Sequence, residues 1–315
     1  MKKIALVAAI AALAAPAVFA QSSVTLWGRI NTTVESQKEG AAGRKVVVAN
    51  NASRLGFKGT EDLGGGLKVS FALEHGLNSD NGAASGDFWG RESSVQLSGA
   101  FGAVRLGRWT PGSYFATADY ISNHNHDTGS SEDKLYSGAG FTSKNKVGYF
   151  TPTVGGFSGE VAVHAGEGAA GDKRGLDLSG NYDQGPLHLG AGFSKQGDAK
   201  QFAVRGLYEL GSVILGAYVQ REDNGAAKNS TRTIARVSAM YVMGASEFHL
   251  NVGGTKAGGD SFNGGKNGGK QYTLGYNYNL SKRTKVYGYY TAVDSTQAKS
   301  VNDFSSLAAG IRHNF

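Results

Sequence analysis

No cysteine occurs anywhere in the chain, and proline occurs only 4 times. Without cysteine, no disulfide can hold the fold, and no lipidated cysteine can anchor it. Beyond the first twenty residues no apolar run approaches the ~20 residues that a membrane helix requires. Helical spacing of apolar residues never persists for more than a turn or two, so a helix bundle is excluded as well. The scarcity of proline beside 14 tyrosines and 15 phenylalanines argues against disorder. The 48 glycines follow no triplet period, which removes collagen.

The opening segment MKKIALVAAIAALAAPAVFA has Lys2 and Lys3, an apolar stretch from Ile4 to Ala15, and small residues framing a cleavage point before Gln21. This is the three-part pattern of a secretory signal peptide, expected over 1–20, with the mature domain at 21–315. Loss of the two lysines lowers the formal charge of +7 by two. The remaining basic balance is interleaved with carboxylates and follows an export signal, so nucleic acid is not an expected partner.

What fills the mature chain is alternation. In VTLWGRINTTV, Val24, Leu26, Ile30 and Val34 share one face, and Thr25, Arg29, Asn31 and Thr33 the other. LKVSFALE repeats the beat, as do GLDLSGNY, LHLGAGF, EFHLNVGG and QYTLGYNY. Period two means half-buried strands. Short links at EDLGGG, GAFG, PTVGG, DQGP, ELGS, VMGA and LSKRT alternate with longer polar stretches, and the pattern yields sixteen strands. An antiparallel sheet of that size must close, and short turns on one rim with long loops on the other describe a transmembrane β-barrel. The alternative, an exported β-sandwich, would bury Arg29, Lys58, Lys68, Glu74, Glu160 and Asp177 in a dry core at heavy desolvation cost. These side chains can line water instead, and a barrel of about sixteen strands is wide enough to hold it.

The strings SVTLWGRIN, SRLGFKGTEDLGGGLKVSFALEHG, VRLGRW, LSKRTKVYGYY and the closing AAGIRHNF resemble the general diffusion porins of β-proteobacteria. That resemblance implies an outer-membrane homotrimer of sixteen-stranded barrels set in lipid and lipopolysaccharide. Each barrel would carry a third long loop folded into its lumen and pass small hydrophilic solutes and ions. It also implies that the terminal aromatic strand, ending in Phe315, is read by the outer-membrane insertion machinery. Many relatives carry an arginine shortly before an Asn-x-Val segment of that loop. Here the stretch reads TSKNKVGY, where Lys144 or Lys146 would have to substitute.

A pore constriction can be drawn from pairing. Centring the first short turn on Gly64 sets Phe57 against Phe71 and Leu55 against Leu73 outside, with Lys58 against Ser70 and Arg54 against Glu74 inside. Arg54 then rises roughly 16 Å above the turn, near mid-membrane. Arg29, Arg91, Arg108 and Arg236 reach similar height by the same count and join Arg54 and Lys58 as a basic wall. Arg91 conflicts with its neighbours, because turning it inward sends Glu92, Ser94 and Gln96 outward. A bulge or a subunit interface at that face would resolve the conflict. The long segment 109–143 carries Asp119, Asp127, Glu132 and Asp133 with aromatic anchors Tyr114, Phe115, Tyr120 and Tyr136. Folded inward, it would set Asp119 and Asp127 beside Glu74 as the acidic side of the constriction; an external position is the alternative.

Other motifs carry little. GEGAAG (166–171) is followed by a strand instead of a helix, so it cradles no phosphate. GGKNGGKQ (264–271) has Gln271 where a P-loop needs Ser or Thr. His124 and His126 form a lone H-x-H in a polar loop, so neither a metal nor another cofactor is expected. A barrel hydrolase would need a nucleophile beside one of the 7 histidines, and none has such a motif. A non-conducting structural or adhesive barrel would need a plug domain, and only the one long loop is available.

Overall fold

The computed structural model describes residues 23–119, 121, 129–136, 138–168, 171–226, 230–255, 268–295 and 303–315. The expected signal peptide, Tyr120, His124, His126 and Asp127 lie outside the described residues. One antiparallel sheet of seventeen segments makes up the fold. In chain order these are β1 (Ser23–Glu39), β2 (Lys45–Asn50), β3 (Arg54–Gly64), β4 (Leu67–Gly76), β5 (Glu92–Gly99) and β6 (Gly102–Arg108). There follow β7 (Lys146–Phe150), β8 (Phe157–His164), β9 (Gly175–Gln184), β10 (Leu187–Gln196), β11 (Ala199–Leu210) and β12 (Val213–Asp223). The last five are β13 (Thr231–Met243), β14 (Ser246–Thr255), β15 (Gly269–Asn279), β16 (Thr284–Ser295) and β17 (Phe304–Asn314).

Apart from β2 and β3, which both pair with β1, each segment pairs with its neighbours in sequence, and β1 pairs with β17, so the sheet closes. Both β2 and β3 lie along β1, β2 against Thr32–Gln37 and β3 against Ser23–Arg29. They are two halves of one wall strand broken at 51–53, and the barrel therefore has the expected sixteen staves. At the break Ala52 takes φ 54°, a left-handed backbone that a non-glycine residue rarely adopts. Such a bulge re-aims local groups instead of continuing the ladder. Here it turns the Ala52 carbonyl toward the interior, where two arginines meet it.

The burial pattern inverts that of a soluble protein. Val, Leu, Phe and Tyr side chains are exposed around the outside, as with Val24, Val48, Leu178, Phe202 and Leu274. Polar and charged groups such as Asn31, Glu35, Asp177, Arg236, Asn251 and Thr273 are buried on the inside. All seven short links form strand-to-strand connections on one rim. Aromatics gather near them: exposed Tyr241 stacks on Phe248, which meets Tyr276, and exposed Phe157 packs against the half-buried Tyr182. This is an interfacial aromatic girdle.

The first hairpin differs from its expected register. Arg54 stands opposite Gly76, Phe57 opposite Leu73 and Lys58 opposite Ala72. The pairing slips by two because a bulge between Asp62 and Gly64 inserts extra chain beside the turn. Since the shift is even, every side chain keeps its face. The barrel closes at its ends in a way that explains the terminal residue. Phe315 N–H donates to the Gly28 carbonyl at 3.1 Å, and Gly28 N–H donates to the Phe315 carbonyl at 3.1 Å. The Phe315 ring lies over Gly28, where a Cβ would collide with its Cζ. Only glycine leaves room for that ring.

Candidate functional site

The segment after β6 packs along the polar inner face of the barrel. It leaves the wall at Trp109, whose Nε1–H donates to Glu160 at 2.8 Å, with the buried Lys146 ammonium 4.2 Å from the indole ring. A helical turn at Gly112–Tyr114 follows, and Ser113 donates from its backbone N–H (3.1 Å) and its hydroxyl to the Asp177 carboxylate. Gly112 and Gly192 make this approach possible: a Cβ on Gly192 would meet Ser113 Cα at 2.7 Å. Further on, Arg205 donates to the Ala116 carbonyl at 3.1 Å, and the Ser238 hydroxyl donates to that of Ile121. Ile121 and Leu135 bury against Leu207, Tyr218 and Ile234 of the wall.

The far end of the segment crosses to β1 and β16. Ser130 donates to the buried Glu35, which also accepts from Thr33 (2.7 Å), Tyr289 (2.6 Å) and Ser306 (2.9 Å). The chain then returns to β13 and β15. Asp133 accepts a two-pronged contact from Arg236, at 2.9 Å and 2.6 Å, plus the Tyr218 hydroxyl at 2.6 Å. Gln271 accepts from Lys134 N–H and donates to the Glu132 carbonyl, both at 2.8 Å. Burial pushes the Tyr136 phenol up from its ordinary pKa, in keeping with a dry seat for this stretch.

These anchors fall on β8–β16 and on β1. On the arc from β1 through β6 the inward charged side chains include Arg29, Arg54, Lys58, Lys68 and Arg105, interspersed with Glu35, Glu74 and Glu92. Arg29 donates to the Ala52 carbonyl at 3.0 Å, and Arg54 Nε–H donates to the same oxygen at 3.2 Å. Across β1 and β3 the two arginines stand directly opposite each other. Like charges in that position repel, and the inward carbonyl of the bulge is a device that holds both. Arg54 also lies 3.4 Å from the Glu74 carboxylate, which Arg91 engages as well. Two guanidiniums thus share one carboxylate. Lys58 lines a crevice with Ser94, Gln96 and Arg105, and Arg105 reaches Gln96 at 2.8 Å and Glu92 at 3.6 Å.

The expected constriction residues divide accordingly. Arg29, Arg54, Lys58, Arg91 and Glu74 come together on one arc. The Arg54–Glu74 pair is diagonal instead of directly opposed, because of the register slip. Arg91 precedes β5 and so escapes the parity conflict: Glu92 stands opposite Glu74 and joins Ser94 and Gln96 on the inner face. Arg236 does not face the channel; its side chain is fully buried against Asp133. Arg108 ends β6 after Gly107 and is held by the Gly90 carbonyl (2.7 Å) and Asp87 (3.0 Å) of the loop before β5, away from Arg54 and Glu74. Asp119 closes the short helical stretch Phe115–Asp119, and Asp127 lies outside the described residues. Lys146 is buried at the foot of the segment, and Lys144 is exposed 4.0 Å from Asp172.

Sequence reasoning missed the anchors Glu35, Gln271 and Asp133 as a set, and it missed Arg105 and Arg312 as inward bases. Parity alone would have found Arg105, which shares the inner face with Ala103, and Arg312, which stands opposite the inward Asn31. No local signal marks Asp133 as the acid that meets Arg236, because the two are 103 residues apart.

An apolar outer belt, a closed ladder and a charged inner wall partly lined by one inward-packed segment define a membrane-spanning β-barrel channel. A family model described as Gram-negative porin matches residues 5–298, and the chain belongs to that family. Outer membrane porin protein 32 of Delftia acidovorans is 34% identical over 320 residues, covering 91% of this chain and 88% of the relative. An outer membrane porin protein of Bordetella pertussis is 26% identical, covering 100% of both chains. Among solved structures, an anion-selective porin from Comamonas acidovorans superposes with a TM-score of 0.78 at 28% identity, covering 94% of this chain and 100% of that one. The protein is therefore an outer-membrane diffusion channel and not a barrel hydrolase.

Proposed function

We propose that the channel is a general diffusion pore for small hydrophilic solutes that favours small anions, and that it works as a homotrimer. The observation that carries this reading is the sharing of one carboxylate, Glu74, by Arg54 and Arg91, with Arg29 directly across the ladder from Arg54. Other acids facing the lumen are engaged internally: Asp133 of the inward segment by Arg236, Asp177 by Ser113, Glu160 by Trp109, Glu35 by hydroxyls and Glu92 by Arg105 at 3.6 Å. The basic arc is left to set the field in the open part of the lumen. An unbalanced unit charge acting on an ion ~10 Å away contributes roughly 1.7 kcal/mol at an effective dielectric of about 20. Screening at ~0.1 M salt cuts this to about a third, so a preference of a few-fold is expected.

Trimer formation, contact with lipopolysaccharide and recognition of the Phe315 strand by the insertion machinery belong to the same proposal. They are supported by family membership and by the exposed aliphatic outer face. Passive diffusion by this route needs no cofactor. The test is the reversal potential in a potassium chloride gradient across a planar bilayer. Arg54→Gln with Arg91→Gln should move it toward zero or toward cations, while Arg108→Ala should leave it nearly unchanged. Cation selectivity of the unmodified channel would overturn the reading.

A further inference from the structure

The histidine that ends β8 is enclosed between two hydrogen-bond acceptors. The His164 side chain is fully buried. Its Nδ1 lies 2.6 Å from the Lys144 carbonyl, and its Nε2 lies 2.8 Å from the Asp172 carboxylate. Lys144 stands where the inward segment leaves the lumen and runs into β7, and Asp172 belongs to the link between β8 and β9. One ring thus joins the exit of the inward segment to a loop-side link of the wall. A backbone carbonyl can only accept a hydrogen bond, and so can an ionised carboxylate. A neutral imidazole has one N–H and one lone pair, so it satisfies one of these oxygens and turns its lone pair on the other. The arrangement closes only with one further proton.

The surroundings place that proton on the ring. Gln196, which ends β10, donates to the same Asp172 oxygen at 3.3 Å and to the Lys173 carbonyl at 3.1 Å. The Lys144 ammonium lies 4.0 Å from the other Asp172 oxygen. Donors converging on the carboxylate favour its ionised form. Other charged groups face the histidine from every side and are engaged elsewhere. Lys146 stands across the ladder on β7, 3.9 Å from Glu160. Asp177, two positions beyond the residue opposite His164, is held by Ser113. Arg108 and Asp87, paired at 3.0 Å, line a pocket of about 310 Å³ with His164 and Lys144. On the link itself Lys173 is taken by Asp198 at 3.1 Å, and Glu167 and Arg174 are exposed.

We infer that His164 is a proton-dependent strap, which ties the β8–β9 link to the exit of the inward segment in acid and lets go as the pH rises. Histidine is the side chain that changes charge between about pH 5 and 8. The tied state holds one proton that the untied, neutral ring does not, so acid favours the tie and alkali opposes it. When the proton leaves, the remaining N–H serves Lys144 or Asp172 but not both. Either way the connection through the ring is cut, and Asp172 loses its cationic partner. The loop-side mouth is therefore firmer in acid than in alkali.

The experiment is hydrogen exchange of the full, folded barrel in a nonionic detergent at about pH 6 and about pH 8.5, either side of the midpoint of an ordinary histidine. Mass spectrometry reads residues 143–145 and 171–174, with rates corrected for the intrinsic pH dependence of exchange. The parent should exchange about tenfold faster at the higher pH, the size of one lost charge-assisted hydrogen bond. His164→Gln carries no titrating proton and should exchange at similar rates at both values. Asp172→Asn is the sharper test. Its amide can donate to a neutral Nε2 while Nδ1–H keeps the Lys144 carbonyl, so the tie closes with no extra proton. This variant should stay protected at both values, which a merely structural aspartate would not produce. Absence of the pH step in the parent overturns the inference. So does a step that survives in either variant, which would assign it to Lys146 or another neighbour, and so does loss of protection at both values in Asp172→Asn. If His164→Gln yields no heat-modifiable barrel, Asp172→Asn decides alone. Bilayer conductance of the same preparations keeps this apart from the channel reading: a conducting parent without the step loses the strap and keeps the pore.

Discussion

Removing Asp133 should loosen the inward segment without opening the barrel. Arg236 and Asp133 both have fully buried side chains and meet through two contacts at 2.6 and 2.9 Å. Asp133→Ala leaves the guanidinium buried without its carboxylate, a change that typically costs about 3–5 kcal/mol. The Tyr218 hydroxyl loses its acceptor as well, worth about 1 kcal/mol. The ladder is untouched, so the cost falls on the segment. At about 1.4 kcal/mol per factor of ten, a loss of ~3 kcal/mol shifts its attachment equilibrium by roughly a hundredfold. Ser113, Ile121 and Ser130 remain as anchors, and release should therefore be intermittent. Single-channel recordings should show a noisier trace with visits to a larger conductance. The double variant Asp133→Leu, Arg236→Met should be quieter than Asp133→Ala, because no buried charge is stranded. A heat-modifiable Asp133→Ala barrel whose conductance and noise match the parent would refute the role of this pair in holding the segment.

Two further outcomes are expected. Glu74→Gln removes the one carboxylate shared by Arg54 and Arg91 and should raise the anion-to-cation permeability ratio about two- to threefold at ~0.1 M salt; an unchanged or cation-shifted reversal potential would count against the basic-arc account. Deleting Phe315, or placing Val at Gly28, removes or displaces the ring that closes the seam. Either change should reduce the heat-modifiable barrel recovered from the outer membrane while export continues, and undiminished recovery of both variants would dismiss the seam's role.

Much of this architecture is written locally. Period-two alternation in VTLWGRINTTV or QYTLGYNY decides strand and face at once, because a strand has only two faces and one of them must meet lipid. The count of staves follows from the alternation of short and long links, since each short link joins neighbouring strands. Closure follows from the cost of an unpaired edge in a membrane. The inward side of Arg29, Lys58, Glu74, Glu160 and Asp177 needed nothing beyond parity.

Register and partnership were settled only in three dimensions. The bulge between Asp62 and Gly64 moves the first hairpin by two positions, and no composition signal distinguishes a bulged turn from a plain one there. Arg91 reads with a parity conflict only if it belongs to the strand, which begins one residue later, at Glu92. Arg236 reads as a pore-facing base because its height and parity are right. What removes it from the channel is Asp133, brought to it by a segment whose course depends on the packing of Ile121, Ser130 and Leu135 against distant staves. Parity is a property of each strand by itself. Which acid meets which base is a property of loop closure across the lumen, and the tertiary fold alone decides it.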